Sequence, residues 1–133
     1  MKKLSLSLLL FILFSAFNLP TIQAQDLTTF ILVRHAEKVD DGTKDPPLNQ
    51  KGKDRAQRLA NHLSETDITA IYSTPYKRTQ STVASIAKQK GIDIKQYDPF
   101  GDNTLERILE QEKGGIIVIA GHSNTTPHLV NIT

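Results

Sequence analysis

Ile116-Ile117-Val118-Ile119-Ala120-Gly121-His122-Ser123 decides how this chain folds. Five apolar residues in succession run straight into a glycine and then into polar residues. A strand that is apolar at every position, with no alternation, is covered on both faces and belongs inside a parallel sheet. Gly114-Gly115 stops the segment before it, and residues 121–124 form the loop after it.

Working outward, the same unit of strand, loop and helix recurs. Leu105, Ile108 and Leu109 give a short helix ahead of the central strand. Residues 92–97 alternate apolar and polar, as a half-exposed edge strand does. Residues 68–72 form another strand, and Ser73-Thr74-Pro75 turns the chain into a helix. Pro75 suits that helix's first turn, where a missing N–H costs nothing. Val83, Ile86 and Ala87 point inward, and the helix ends near Lys90-Gly91. At the front lies a strand over residues 29–33, then a polar loop from Arg34 to Pro47. A helix over residues 49–63 follows, with Asn49 as its N-cap. Its residues Ala56, Leu59, Ala60 and Leu63 share one face at helical spacing. A last helix begins near Thr126-Pro127. Such alternation predicts an α/β domain, a three-layer αβα fold with a mostly parallel central sheet.

The N-terminus speaks to compartment. Met1-Lys2-Lys3 is basic, residues 4–17 are almost unbroken apolar sequence, and Asn18 and Pro20 close the run before Ala24. That is the layout of a signal peptide over residues 1–24, with a mature domain over residues 25–133 and a periplasmic or secreted destination. The run is short for a membrane span, so no membrane contact is expected after cleavage. The whole chain has 16 basic and 14 acidic residues, and losing Lys2 and Lys3 leaves 14 against 14. A near-neutral domain with no basic run is not a nucleic-acid binder. There is no cysteine, which excludes disulfides, thiol nucleophiles and thiolate metal sites.

Open α/β sheets bind ligands beyond the carboxyl ends of their strands. Arg34 and His35 follow the first strand, Thr74, Lys77 and Arg78 the second, Asp98 and Asp102 the third, and His122, Ser123 and Asn124 the fourth. Two arginines, two histidines and a choice of carboxylates therefore meet on one rim. Guanidinium groups grip phosphate oxygens in planar pairs. A neutral imidazole is a nucleophile near pH 7. A second histidine can stabilise developing charge, and a carboxylic acid can protonate the leaving oxygen. Two arginines would repel a cation, so neither a metal nor another cofactor is expected.

Four segments carry a specific resemblance. Leu32-Val33-Arg34-His35-Ala36-Glu37 is similar to the RHG/RHA signature of the histidine phosphatases, the phosphoglycerate-mutase-like superfamily. Pro47-Leu48-Asn49-Gln50-Lys51-Gly52 resembles the family's LT-x-x-G entry to the first helix, and residues 71–82 resemble SSPxxRAxQT. Ala120-Gly121-His122-Ser123 resembles the closing GH motif. The short form resembles the compact SixA-like branch, without the long insertions of the glycolytic mutases. The resemblance implies that His35 accepts the phosphoryl group and that Arg34, Arg78 and His122 form its pocket. Ser123 and Asn49 join them as substrate-binding candidates. The acid is open among Asp102, Glu106 and Glu37; Asp102 ranks first, although it could equally be a helix N-cap. Compact members continue past the last helix into a further strand, whereas this chain stops at Val130-Asn131-Ile132-Thr133. The sheet is therefore open to lacking a C-terminal edge strand, and the chain to being a fragment.

The expected activity is metal-independent hydrolysis of phosphomonoesters through a phosphohistidine on His35, with a phosphorylated small molecule as partner. The alternatives are a mutase, a phosphatase acting on phosphohistidine proteins, and a non-catalytic anion-binding module. His62 and His128 lie on helices away from the rim and are expected to be structural or surface residues. Glu37, Lys38, Asp40 and Asp41 read as solvated loop, and residues 51–55 as an exposed helix face.

Overall fold

The computed structural model describes residues 27–130. The proposed leader, residues 1–24, lies outside them. The elements run β1 (Thr29–Arg34), α1 (Gln50–His62), β2 (Ala70–Ser73), α2 (Lys77–Lys90), β3 (Ile94–Gln96), α3 (Thr104–Gln111), β4 (Ile116–Gly121) and α4 (Thr126–Val130). The strands form one sheet in the order β1-β4-β2-β3, and every pairing is parallel. Uniform apolarity put β4 at the centre, and it pairs with both β1 and β2. The alternating β3 is an edge, paired with β2 alone.

Both faces of the sheet are covered. On one, Ile71, Val118 and Ala120 pack with Ala60 of α1 and with Val83 and Ile86 of α2. On the other, Tyr72, Ile117 and Ile119 pack with Ile108 of α3 and Leu129 of α4. The three-layer αβα arrangement follows, because successive β4 residues point to opposite faces and each face is apolar.

Element ends depart from the sequence expectation where polar groups decide them. β2 starts at Ala70 rather than residue 68, and β3 is confined to Ile94–Gln96. Helix α2 begins at Lys77, so Pro75 precedes the helix instead of opening it. Its N-cap, Tyr76, makes no side-chain cap bond; the Lys77 N–H is taken by Asp45 Oδ1 at 2.9 Å, from a loop far back in sequence. Asn49 does cap α1, its side chain accepting from the Gly52 N–H at 2.9 Å.

Residues 51–55 are not wholly an exposed face, because Gly52 is buried while its neighbours are not. Helix α1 docks its first turn against the backbone of Glu37, where a β-carbon on Gly52 would overlap the Glu37 carbonyl oxygen. The Asn49 N–H donates to that same carbonyl at 2.9 Å. Gly52→Ala therefore forces the helix and the loop behind His35 apart. The expected loss is about 3 kcal/mol, the upper end for overpacking since backbone cannot rotate away. Chemical denaturation checks it; a variant within about 0.5 kcal/mol of the parent would mean that this contact is slack.

Candidate active site

The carboxyl ends of β1, β4 and β2 stop almost level. Arg34 pairs with Gly121, and Ser73 with Ala120. Backbone bonds extend the ladder one residue further: the His35 N–H donates to Gly121 O at 2.9 Å and the Thr74 N–H to Ala120 O at 3.3 Å. His35, His122 and Thr74 thus leave the sheet side by side. The two imidazole rings lie 5.3 Å apart, edge toward face. Gly121 permits this crowding, because a β-carbon there would stand 2.9 Å from both Thr125 Oγ1 and the Tyr97 hydroxyl.

Hydrogen bonds assign the imidazole protons. His35 Nδ1 lies 2.8 Å from the Ala36 carbonyl oxygen, which can only accept. Nδ1 must carry the proton, leaving a lone pair on Nε2. His122 Nε2 lies 3.0 Å from Thr74 Oγ1, which lies 2.8 Å from Thr79 Oγ1. The Thr79 hydroxyl also reaches the Tyr76 and Thr74 carbonyls, at 2.8 and 3.1 Å. With Nε2 taken up by this threonine pair, Nδ1 of His122 is the nitrogen left for a ligand, and it carries a proton for a phosphoryl oxygen when Thr79 donates to Thr74 and Thr74 to Nε2. The buried threonines behind His122 hold its ring plane.

The electrostatics favour neutral rings. Burial lowers the pKa of His35, and the charges of Arg78, Arg34 and Lys38 lower it further, partly opposed by the Ala36 carbonyl. Burial, then Arg78 and His35, push His122 down to about 4. Both imidazoles are therefore largely unprotonated at neutral pH, the state in which His35 is nucleophilic.

Arg78 sits in the first turn of α2 with its side chain only 14% exposed. Asp45 lies 3.6 Å from Nη1, the Lys44 carbonyl accepts from the same nitrogen at 3.4 Å, and the guanidinium stacks 4.5 Å from the centre of the Tyr76 ring. Its Nε is buried and has no partner. One turn on, Thr82 ties this helix to the nucleophile loop, accepting from the Ala36 N–H at 2.8 Å and donating to the Arg78 carbonyl at 2.7 Å. Asp45 and Thr82 escaped the sequence reading; each acts through a contact more than 30 residues away, and no local pattern marks it.

A cavity of about 790 Å³ opens over this rim. Arg34, His35, Arg78, His122 and Ser123 line it, as the sequence placed them. Asn49 does not: its side chain is occupied by Gly52 N–H and by the Lys38 carbonyl, so it builds a helix start rather than a substrate contact. Asp102 does not either; it is exposed and outside the lining. It is not a helix cap, since Asn103 holds that position in a left-handed conformation. Glu37 is turned to Arg55 and Lys51, and Glu106 is likewise outside the lining. The carboxylate at the cavity is Asp98, joined there by Tyr76, Tyr97 and Phe100. His62 and His128 are exposed and lie away from it. Among the described residues no group of three or more histidines and carboxylates is arranged to hold a metal.

Known proteins share this framework. The profile of the histidine phosphatase superfamily (branch 1) matches residues 30–102. Phosphoserine phosphatase 1 of Hydrogenobacter thermophilus is 36% identical over 94 residues, 66% of this chain and 41% of the relative. A probable phosphoglycerate mutase GpmB of Shigella dysenteriae is 41% identical over 69 residues, 47% of this chain and 32% of the relative. The chain thus spans less than half the length of these curated relatives. Among solved structures, YhfR of Bacillus stearothermophilus superposes with a TM-score of 0.67 at 18% identity, covering 80% of this chain and 86% of that one. The protein histidine phosphatase SixA, complexed with tungstate, gives 0.65 at 19%, covering 76% and 73%. With the profile spanning more than half of it and the motif residues gathered on one rim, this chain belongs to the histidine phosphatase superfamily.

Proposed function

We propose that this protein hydrolyses phosphomonoesters without a metal, through a phosphohistidine on His35, outside the cytoplasm. The observation that carries the reading is Arg78. A guanidinium fixed by Asp45, the Lys44 carbonyl and Tyr76 at the cavity wall, beside two neutral imidazoles, is placed to grip an oxyanion. A phosphoryl group fits the fork geometry arginine prefers. In the first step His35 Nε2 bonds to phosphorus, the P–O ester bond breaks, and the leaving oxygen takes a proton from Asp98, the carboxylate lining the cavity. In the second, water attacks the phosphohistidine, Asp98 takes its proton, and inorganic phosphate departs. Arg34, Arg78 and His122 hold the phosphoryl oxygens while their charge redistributes. The basic start and apolar run ahead of Gln25 support export.

The test is an assay of phosphomonoester hydrolysis with and without EDTA. Turnover is expected, unchanged by the chelator, because arginine and histidine supply the positive field. Loss with EDTA and recovery with Zn²⁺ or Mn²⁺ would replace this mechanism by a metal-assisted one.

A further inference from the structure

The cavity has two chemically different halves. Arg34, Lys38 and Arg78 gather at one, around His35, where all three cations depress its proton affinity. The other is built by Pro75, Tyr76, Tyr97, Pro99 and Phe100. Among the described residues, the large apolar side chains left exposed are Leu27, Tyr76, Phe100 and Leu109. Two of these four stand at the cavity, and Phe100 is 69% exposed.

The backbone that carries Phe100 is tied down. Asp98 Oδ1 accepts from the Phe100 N–H at 3.0 Å, and the Asp98 carbonyl accepts from the Gly101 N–H at 3.2 Å. The Thr104 hydroxyl donates to the Asp98 and Gly101 carbonyls at 2.9 and 3.0 Å. Tyr97, buried, directs its hydroxyl to the Ala120 carbonyl at 3.4 Å and leaves its ring in the cavity wall. Tyr76 packs edge-on against His122, ring centres 5.1 Å apart, so the aromatic wall begins where the phosphoryl pocket ends. An aromatic surface kept in contact with water at a concave site marks ligand contact.

We propose that this half receives the alcohol part of the ester, and that the substrates are phosphomonoesters of aromatic or arylalkyl alcohols rather than phosphorylated carboxylic acids. The proposal rests on the phosphohydrolase reading and deepens it. A carboxylated alcohol such as serine or glycerate needs a second cation where its carboxylate lands. The apolar half holds no cation, and its one carboxyl, Asp98, offers a carboxylate no counter-charge. A flat ring loses no such partner and covers Phe100 and Tyr76. The volume is in the range that encloses a whole organic ligand.

Two phosphonates, which cannot be hydrolysed, separate this claim from catalysis. Binding of 2-phenylethylphosphonate and 2-carboxyethylphosphonate to the full chain is measured by calorimetry. The phenyl compound is expected to bind at least about 10-fold more tightly, the worth of covering one ring. Phe100→Ala should shrink that ratio by about 10-fold, and Phe100→Leu, still apolar, should keep most of it. Equal affinities, a preference for the carboxylate, or a ratio indifferent to Phe100→Ala would overturn the proposal. A phenyl preference in a protein that hydrolyses no phosphomonoester would uphold this assignment and sink the hydrolytic one. Turnover without the preference would do the reverse.

Discussion

His35→Ala is expected to abolish the proposed phosphomonoester turnover, by more than about 10⁴-fold, the scale on which removal of a covalent nucleophile acts. The expectation follows from position and protonation together. His35 is anchored to the end of the central strand by its own N–H, and its Nδ1 is committed to the Ala36 carbonyl, which leaves Nε2 as the reactive atom. Burial and three neighbouring cations keep the ring unprotonated at neutral pH. His62→Ala and His128→Ala, both exposed and away from the cavity, should retain most of the activity. Rapid quenching with labelled substrate should trap phosphate on the wild type in acid-labile, base-stable form, as an N–P bond requires, and peptide mapping should put it on His35 at Nε2. Circular dichroism establishes that the alanine variant is folded. Turnover surviving in that variant, an acid-stable adduct, or a label on Nδ1 would each remove the mechanism.

The central strand and the β3 edge were legible because apolar pattern is a direct record of burial. β4 lost no polarity at any position and sits between two neighbours. The four residues Arg34, His35, Arg78 and His122 could be placed on one rim because each ends a strand, follows one by a residue, or lies in the first turn of the next helix, so topology alone brings them together. The acid could not be. Asp98 and Asp102 lie four residues apart in one loop, and which of them faces the cavity depends on how that loop is folded. Hydrogen bonds from Phe100, Gly101 and Thr104 wrap it around Asp98, and a left-handed Asn103 turns it into α3. Asn49 was misread for a related reason. Its motif resemblance is real, but its side chain is spent on Gly52 and the Lys38 carbonyl. The reason for a glycine at residue 52 was equally hidden, since it is set by a carbonyl 15 residues earlier in the chain.

Arg78→Lys separates an enzyme from a module that only binds anions. Lysine keeps the charge and much of the length but loses the planar fork and the buried Nε. In the wild type that fork is held from three sides: Asp45 at 3.6 Å, the Lys44 carbonyl at 3.4 Å, and the Tyr76 ring at 4.5 Å. Such holding fixes direction more than it adds charge. A phosphoryl group in flight is planar and spreads its charge over three equatorial oxygens. Directed donors therefore matter most at that moment, and the ground-state phosphate, tetrahedral and freely rotating, tolerates a point charge. The expected result is a fall in kcat of about 10²–10³-fold, on the scale of losing one preorganised donor, with a smaller rise in KM. Steady-state kinetics on one arylalkyl phosphate, together with the affinity for inorganic phosphate, reads both. If KM and phosphate affinity carry the whole loss while kcat stands, Arg78 holds substrate and transition state alike. If the wild type binds phosphate through Arg78 and turns over none of the esters offered, the pocket is a binding site, and the pairing of His35 with His122 at 5.3 Å serves the anion rather than its transfer.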